Sequence, residues 1–408
     1  MDDRAHPDHR VTRAHPDHRV TRAHPDYRVT RTSCANPVWP CAMAGAVSCL
    51  AGVRDLAVVI HGSSGCYYYP ATLMPGELFG TFLQEPEVIF GGGERLAEVL
   101  ASLPPRYRKV AVVTTCVTAV TGEDPAGITA GKDLLVVDSP GFCGGMEEGY
   151  RLAMEALAPA VDPGTPGVNL DGIHPADPFS RGNLREAERL LALSGTTPAT
   201  IFSDTTLDML HRAAPVSLSV NPDLAAGAGR RIGSLLGLRN VRESFEALAE
   251  ACPGSDPEPV LREAERAEER ITHVADKYLR RHDPPTVAIF GMSAPAVYAA
   301  EMLTTYLDCG IAAIGSRNEP GPSRFPVTKM TSLEKIRAIL DQEQPDLILG
   351  SSYERMVHPQ SAFVGITLPL RGRIQLRARP LAGIEGALDL MEQVLNACMD
   401  RARGRGEG

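Results

Sequence analysis

Cys41, Cys66 and Cys116 stand at three places where a chain of this pattern offers sulfur to a ligand. In VIHGSSGCYYYP, residues 59–70, an apolar β-forming run ends in a glycine loop that holds Cys66. Cys116 closes a second such run, KVAVVTTC, and Cys41 follows PVWP and directly precedes AMAGAVSCL, a segment with helical character. A thiol at a helix N-terminus has its thiolate stabilised by free backbone N–H groups and the helix dipole. The chain has nine cysteines, an odd number, and no apolar export signal, which argues against a disulfide framework. Each thiol is then a small buried hydrophobe, a nucleophile or a metal ligand, and the other six read as ordinary core residues.

The spacing of the three decides which metal chemistry they suit. Structural zinc takes closely spaced CxxC pairs, whereas these cysteines are separated by 25 and 50 residues. An iron–sulfur cluster fits better, because small residues beside Cys66, Gly65 among them, let backbone amides approach inorganic sulfide. Tyr67, Tyr68 and Tyr69 either shield such a cluster from water or simply pack. His61 is either a residue that supports the ligands from behind or a structural histidine at a strand end. Glu123 and Asp124 lie close to Cys116 as acids, or as solvated or capping loop carboxylates, and no single proton donor stands out.

Alternating strands and helices must position these sulfurs. DLAVVIHG, KVAVVTTC and DLLVVDSPGF read as buried parallel strands, followed by a second set at 167–173, 199–204 and 215–222 and a third at 286–292, 310–316, 346–352 and 363–367. A helix over 184–195 stops at Gly195, and a charged amphipathic helix fills much of 253–285. The fold class predicted is α/β, with three Rossmann-like domains of parallel sheets flanked by helices at 34–165, 166–285 and 286–408. Residues 1–33, with the nonapeptide AHPDHRVTR nearly three times over, read as a disordered tail. GSSGC and FGMSAP lack full GxGxxG spacing, so a nicotinamide site is disfavoured. A net charge of −9 with no basic stripe argues against nucleic acid, and no apolar run is long enough to span a bilayer, so a soluble, cytoplasmic protein is expected.

The segment CAMAGAVSCLAGVRDLAVVIHGSSGC, residues 41–66, resembles the N-terminal cluster-binding segment of nitrogenase component 1 subunits. The likeness continues through TTCVTAVTGED, DSPGF, GVNLDG and PDLILGSS to GIEGA, and so covers nearly everything after residue 34. It implies that Cys41, Cys66 and Cys116 ligate an iron–sulfur cluster, 4Fe-4S by preference, at an interface with a related or identical component 1 subunit. It also implies a nitrogenase-iron-protein-like reductase as electron source, with ATP used by that partner.

The family's iron–molybdenum cofactor is carried on one cysteine and one histidine. The matching regions here are SLSVNPD, near Asn221, with no thiol, and LPLRGRIQL, with no histidine, so no FeMo cofactor is expected. What remains resembles the nitrogenase-like reductases that act on an organic substrate, tetrapyrrole or sulfur-containing. The alternatives are a cofactor-assembly scaffold of the same fold carrying a nascent cluster, and a metal-free small-ligand-binding protein. Cys143 in DSPGFCGG is an additional ligand, a redox thiol or a small buried residue.

Overall fold

The computed structural model describes residues 38–404 apart from 75, 129–132 and 203; the nonapeptide tail and Cys34 lie outside these. Thirteen strands are present among the described residues, and every pairing between them is parallel. The first sheet holds β1 (Leu56–His61), β2 (Phe79–Gly80), β3 (Lys109–Thr114) and β4 (Leu134–Val137), in the order β2-β1-β3-β4. The second holds β5 (Val168–Asp171), β6 (Pro198–Ile201), β7 (Val216–Ser219) and β8 (Arg230–Ser234), in the order β6-β5-β7-β8. The third holds β9 (Thr286–Gly291), β10 (Gly310–Ser316), β11 (Val327–Lys329), β12 (Leu347–Gly350) and β13 (Ala362–Gly365), in the order β11-β10-β9-β12-β13.

Continuous apolar runs become central strands because helices cover both faces of a parallel sheet. β1 and β12 are buried at every position. The fold is therefore the α/β arrangement of parallel sheets flanked by helices that the alternating pattern implies. The described residues belong to one compact unit, and the sheets share their apolar packing. Leu170 and Leu218 from the second sheet lie in one core with Ile289 and Leu349 from the third. The first-sheet core likewise takes in Phe202, Met292 and Leu368. The chain's last helix, Gly383–Gly404, returns to helix Ser180–Leu193: the Asn183 side chain accepts hydrogen bonds from the Leu381 and Ala382 amides at 2.7 and 3.0 Å, and Glu186 accepts from that of Ile384.

Several elements differ from their sequence expectation. Helix Ser180–Leu193 starts four residues before the apolar periodicity begins, and the long charged helix is confined to Glu258–Leu279. The strand Arg230–Ser234 escaped notice because RRIGS carries edge chemistry, two exposed arginines and a glycine, rather than an apolar run. GSSGC is not a free loop, since Ser64 already opens helix Ser64–Leu73 and Cys66 is its third residue.

Candidate functional site

The order of the first sheet brings the site together. β1, β3 and β4 are neighbours, so the segments leaving their carboxyl ends emerge side by side, where open α/β sheets gather ligands. Beyond β1 comes Gly62, then helix Ser64–Leu73 with Cys66 in its first turn. Beyond β3 comes Thr115, then helix Cys116–Thr121. Beyond β4 comes the loop Asp138–Gly145, tied to β3 by the Thr114 hydroxyl, which donates to Asp138 at 2.6 Å and accepts from the Ser139 amide at 3.2 Å.

Cys41 arrives from outside the sheet, on helix Ala42–Ala51. This helix lies so close to helix Met146–Leu157 that only glycine fits at two crossing points. A Cβ on Gly45 would sit 1.9 Å from the Met146 carbonyl oxygen, and one on Gly149 would sit 1.7 Å from that of Ala42. The Ala42 amide donates to the Gly144 carbonyl at 3.0 Å, which fastens Cys41 to the loop after β4.

The consequence shows at Gly141. The point a Cβ on Gly141 would occupy lies 3.1 Å from the Cys116 sulfur and 3.2 Å from the Cys41 sulfur. The two sulfurs therefore flank a hollow that exists because residue 141 has no side chain. The Gly141 amide donates to Cys116 Sγ at 3.1 Å, and the Ser63 hydroxyl donates to Cys66 Sγ at 3.8 Å. Cys66 interacts electrostatically with both Cys41 and Cys116, and all three thiols are half-buried. The buried Ser139 hydroxyl, two residues from Gly141, has no hydrogen-bond partner. Among the described residues no three His, Cys, Asp or Glu side chains converge tightly enough to hold a single metal ion. Cysteine sulfurs with backbone amides facing them are the kind of donor set that an iron–sulfur cluster takes.

The expectation of ready-made thiolates needs correction. Cys41 is the N-cap residue of its helix, as the sequence implied, but burial pushes its thiol up, against the opposing pull of the Ala44 amide. Burial also pushes Cys66 up, and the Ser63 hydroxyl opposes it only in part. Cys143 is exposed on the same loop as Gly141, which removes the reading of a small buried residue. A Cβ on Gly65 meets nothing within 4 Å, so the chain itself leaves the space beside Cys66 open.

The nearby polar residues sort themselves by contact. His61 is buried, with Nε2 2.7 Å from Glu123 Oε2 and Nδ1 3.2 Å from the Thr81 hydroxyl. Burial lowers its pKa and Glu123 pulls it back up. Glu123 also accepts from the Gly92 amide at 2.9 Å. Its carboxylate is thus a half-buried structural partner rather than a solvated loop acid, and His61 is satisfied within the fold. Asp124 caps a short 3-10 turn by accepting from the Ala126 amide at 3.0 Å. Tyr67 packs edge-on against Phe82, while Tyr68 is largely exposed.

The region expected to lack the large cofactor's ligands is also defined. Asn221 is buried and caps its own turn, accepting from the Asp223 amide at 3.1 Å and donating to Met292 Sδ at 3.5 Å. The stretch 368–376 borders a cavity of about 1000 Å³ that also reaches Tyr69 and Leu73, on the helix that begins beside Cys66. Nothing in the sequence reading pointed to Gly141 as the centre of the site or to this cavity. The DSPGF motif was the available signal for the first, and the arginines of LPLRGRIQL for the second.

The structure is an α/β protein of parallel sheets flanked by helices, with Cys66 and Cys116 just beyond the carboxyl ends of neighbouring strands in the first sheet. The chain belongs to the nitrogenase component 1 type oxidoreductases, whose family model matches residues 41–399. It is 24% identical to the nitrogenase molybdenum-iron protein beta chain of Methanococcus maripaludis, over 91% of this chain and 95% of that one. It is 26% identical to the corresponding beta chain of Sinorhizobium fredii, over 90% and 84%. A nitrogenase iron-molybdenum cofactor biosynthesis protein, NifE of Clostridium pasteurianum, is 31% identical over 33% of each chain. Among solved structures, nitrogenase Cp1 at pH 6.5 superposes with a TM-score of 0.72 at 18% identity, covering 90% of this chain and 93% of that one, and so shares the fold. Among the described residues no helix is long and apolar enough to cross a membrane.

Proposed function

We propose that this chain is a catalytic-component subunit of a nitrogenase-like oxidoreductase in which Cys41, Cys66 and Cys116 hold an iron–sulfur cluster, 4Fe-4S in type. Electrons come from an ATP-dependent, iron-protein-like reductase and go to an organic substrate, tetrapyrrole or sulfur-containing. The observation that carries this reading is the approach of two sulfurs from distant segments, Cys41 and Cys116, to one point beside Gly141. A bound cluster supplies one-electron transfer. The chain's own part is to present three sulfurs from separate, rigidly docked elements, to donate the Gly141 amide to the Cys116 sulfur, and to leave room for amides near Gly65.

The exposure of the thiols supports a partner at this face. Half-buried sulfurs leave a cluster partly open to water, and apolar residues stand exposed on the elements around them: Ile89 and Phe90 on the helix packed beside Cys116–Thr121, Val120 on that helix, and Phe142 beside Gly141. A related or identical component 1 subunit covering this patch would exclude water and bury apolar area together. The test is electron paramagnetic resonance with iron analysis on anaerobic protein, with each of the three cysteines replaced by alanine in turn. Loss of the cluster signal in each variant is expected, and survival of the signal in all three overturns the ligand assignment.

A second reading is a cofactor-assembly scaffold, favoured by the 31% and 35% identities to NifE proteins over about a third of the chain. Supplied with reductase and ATP, a scaffold would hand its cluster to an acceptor protein and consume no electrons on addition of substrate.

A further inference from the structure

The cavity of about 1000 Å³ lies beyond the carboxyl ends of strands from two sheets: parts of 173–184 after β5, Asp204 after β6, Tyr353 after β12, and 368–371 with 375–378 after β13 border it. This is the crevice where open parallel sheets take ligands. Its volume stands at the upper end of small-molecule pockets, about 300–1,000 Å³, so it suits a ligand larger than a single-ring metabolite.

The charge of its lining is the informative feature. The protein as a whole carries −9, yet the cavity's unpaired charges are positive. Arg54 is neutralised by Asp204 at 2.6 Å, but no carboxylate lies within ion-pair distance of Arg181, Arg371 or Arg377 among the described residues. The one other acid on the wall, Asp177, is pushed up to about 6 by burial, and its single charge leaves the three arginines in excess. Arg373, in the same loop but off the wall, is pushed down chiefly by burial and then by the guanidinium charges of Arg355 and Arg379, while Arg379 itself pairs with Asp389 at 3.6 Å. Like charges crowded without counter-ions cost stability, and a guanidinium offers a planar fork matched to carboxylate and phosphate oxygens. Apolar surface is interleaved with this charge: Leu73 and Leu370 line the wall, and Leu376 is 95% exposed at the rim.

We propose that this cavity binds an organic polyanion, with an apolar body and carboxylate or phosphate groups at its edge, through Arg181, Arg371 and Arg377. The ligand's role as substrate rests on the reductase reading above, since Tyr69 on the cavity wall is one helical turn from Cys66. Its binding does not depend on iron, so the two readings fail separately.

The experiment is fluorescence titration of the metal-free full chain with three probes: coproporphyrin as a tetracarboxylate, its tetramethyl ester with the same body, and flavin mononucleotide as a phosphate. Binding of coproporphyrin or flavin mononucleotide that weakens with added salt is expected, together with at least tenfold weaker binding of the ester. The Arg371→Gln/Arg377→Gln variant should lose about tenfold in affinity, about 1.4 kcal/mol, and Arg371→Lys/Arg377→Lys should recover part of it. The carboxylate and phosphate arms identify which anion is preferred. Equal binding of the ester, no binding of either anion, or unchanged affinity in the glutamine variant would overturn the proposal. The Cys41→Ala variant should bind the preferred probe like the parent chain.

Discussion

Replacing Gly141 by alanine tests the site without touching a sulfur. The backbone at Gly141 does not need a left-handed conformation, so alanine is accepted there, and the new methyl would lie 3.1 and 3.2 Å from two sulfurs. Ordinary contact begins a few tenths of an ångström farther out, and in the metal-free protein both half-buried thiols can swing away. Overpacking typically costs about 1–3 kcal/mol, and the freedom of the thiols puts the metal-free protein near the low end, about 1 kcal/mol. Such a loss moves the melting temperature of a chain this size by about 1 °C. With a cluster bonded to the same sulfurs the escape is closed, so the full cost, about 3 kcal/mol, falls on the loaded state. The difference of about 2 kcal/mol predicts roughly 30-fold weaker retention of the cluster. The assay is iron and acid-labile sulfide per chain after anaerobic reconstitution in the presence of a competing chelator, alongside thermal melts without metal. Retention equal to the parent, with a normal melt, would show that the hollow is not where the cluster sits.

Three further outcomes follow from the same geometry. Gly65→Ala, in the first turn of helix Ser64–Leu73 with open space around it, should stabilise the metal-free chain by up to about 0.5 kcal/mol and at the same time lower iron content; a loss of both together would mean that the position is merely tight. His174 is fully buried, with its Nδ1 held by Ser48 at 3.0 Å, and burial holds its pKa at about 3, below the ordinary 6.5. A depressed histidine costs nothing above pH 6.5, and stability is then lost as pH falls, because only the unfolded chain takes the proton. That loss is about 2 kcal/mol by pH 5, so urea melts of His174→Phe should show a pH 7 to pH 5 drop smaller by this amount, and equal drops would refute the assignment. Arg317 and Glu354 form an ion pair with neither side chain exposed, and Glu354→Ala should cost about 3–5 kcal/mol in urea melts by stranding the guanidinium; a cost below 1 kcal/mol would mean that water reaches the pair.

The strands and the three sulfurs were legible in the sequence because they depend on local pattern. LAVVIH and KVAVVT are apolar runs that a parallel sheet alone buries, and a cysteine just beyond each is visible without coordinates. What escaped depends on contacts across long separations. Gly45 and Gly149 matter because two helices 100 residues apart in sequence touch backbone to backbone, and nothing in MAGAV or EEGYR states that. The same holds for Glu123, which reads as a loop acid after VTG until the fold lays His61 beneath it. The thiolate expectation failed for an energetic reason: helix N-terminal amides do face Cys41, but the desolvation that comes with a packed helix outweighs them.

Asn221 and the arginine loop bear on each other in deciding what the cavity can hold. Asn221 spends its side chain inside the fold, on the Asp223 amide and on Met292, so it cannot turn to act as a ligand without uncapping its own turn. The stretch 368–378, which borders the cavity through Arg371 and Arg377, offers guanidinium groups and no imidazole. A guanidinium stays protonated at any ordinary pH and therefore cannot coordinate a metal, whereas it holds an oxyanion well. Neither Asn221 nor the arginines of this stretch supplies a thiol or an imidazole, and the arginines suit the anion proposed above. Cys66 lies one helical turn from Tyr69 on the same helix, which runs from the sulfurs to the cavity wall. The three cysteines and the three arginines belong to different segments, so under the proposed function the arginine variants should leave cluster content unchanged and the cysteine variants should leave anion affinity unchanged.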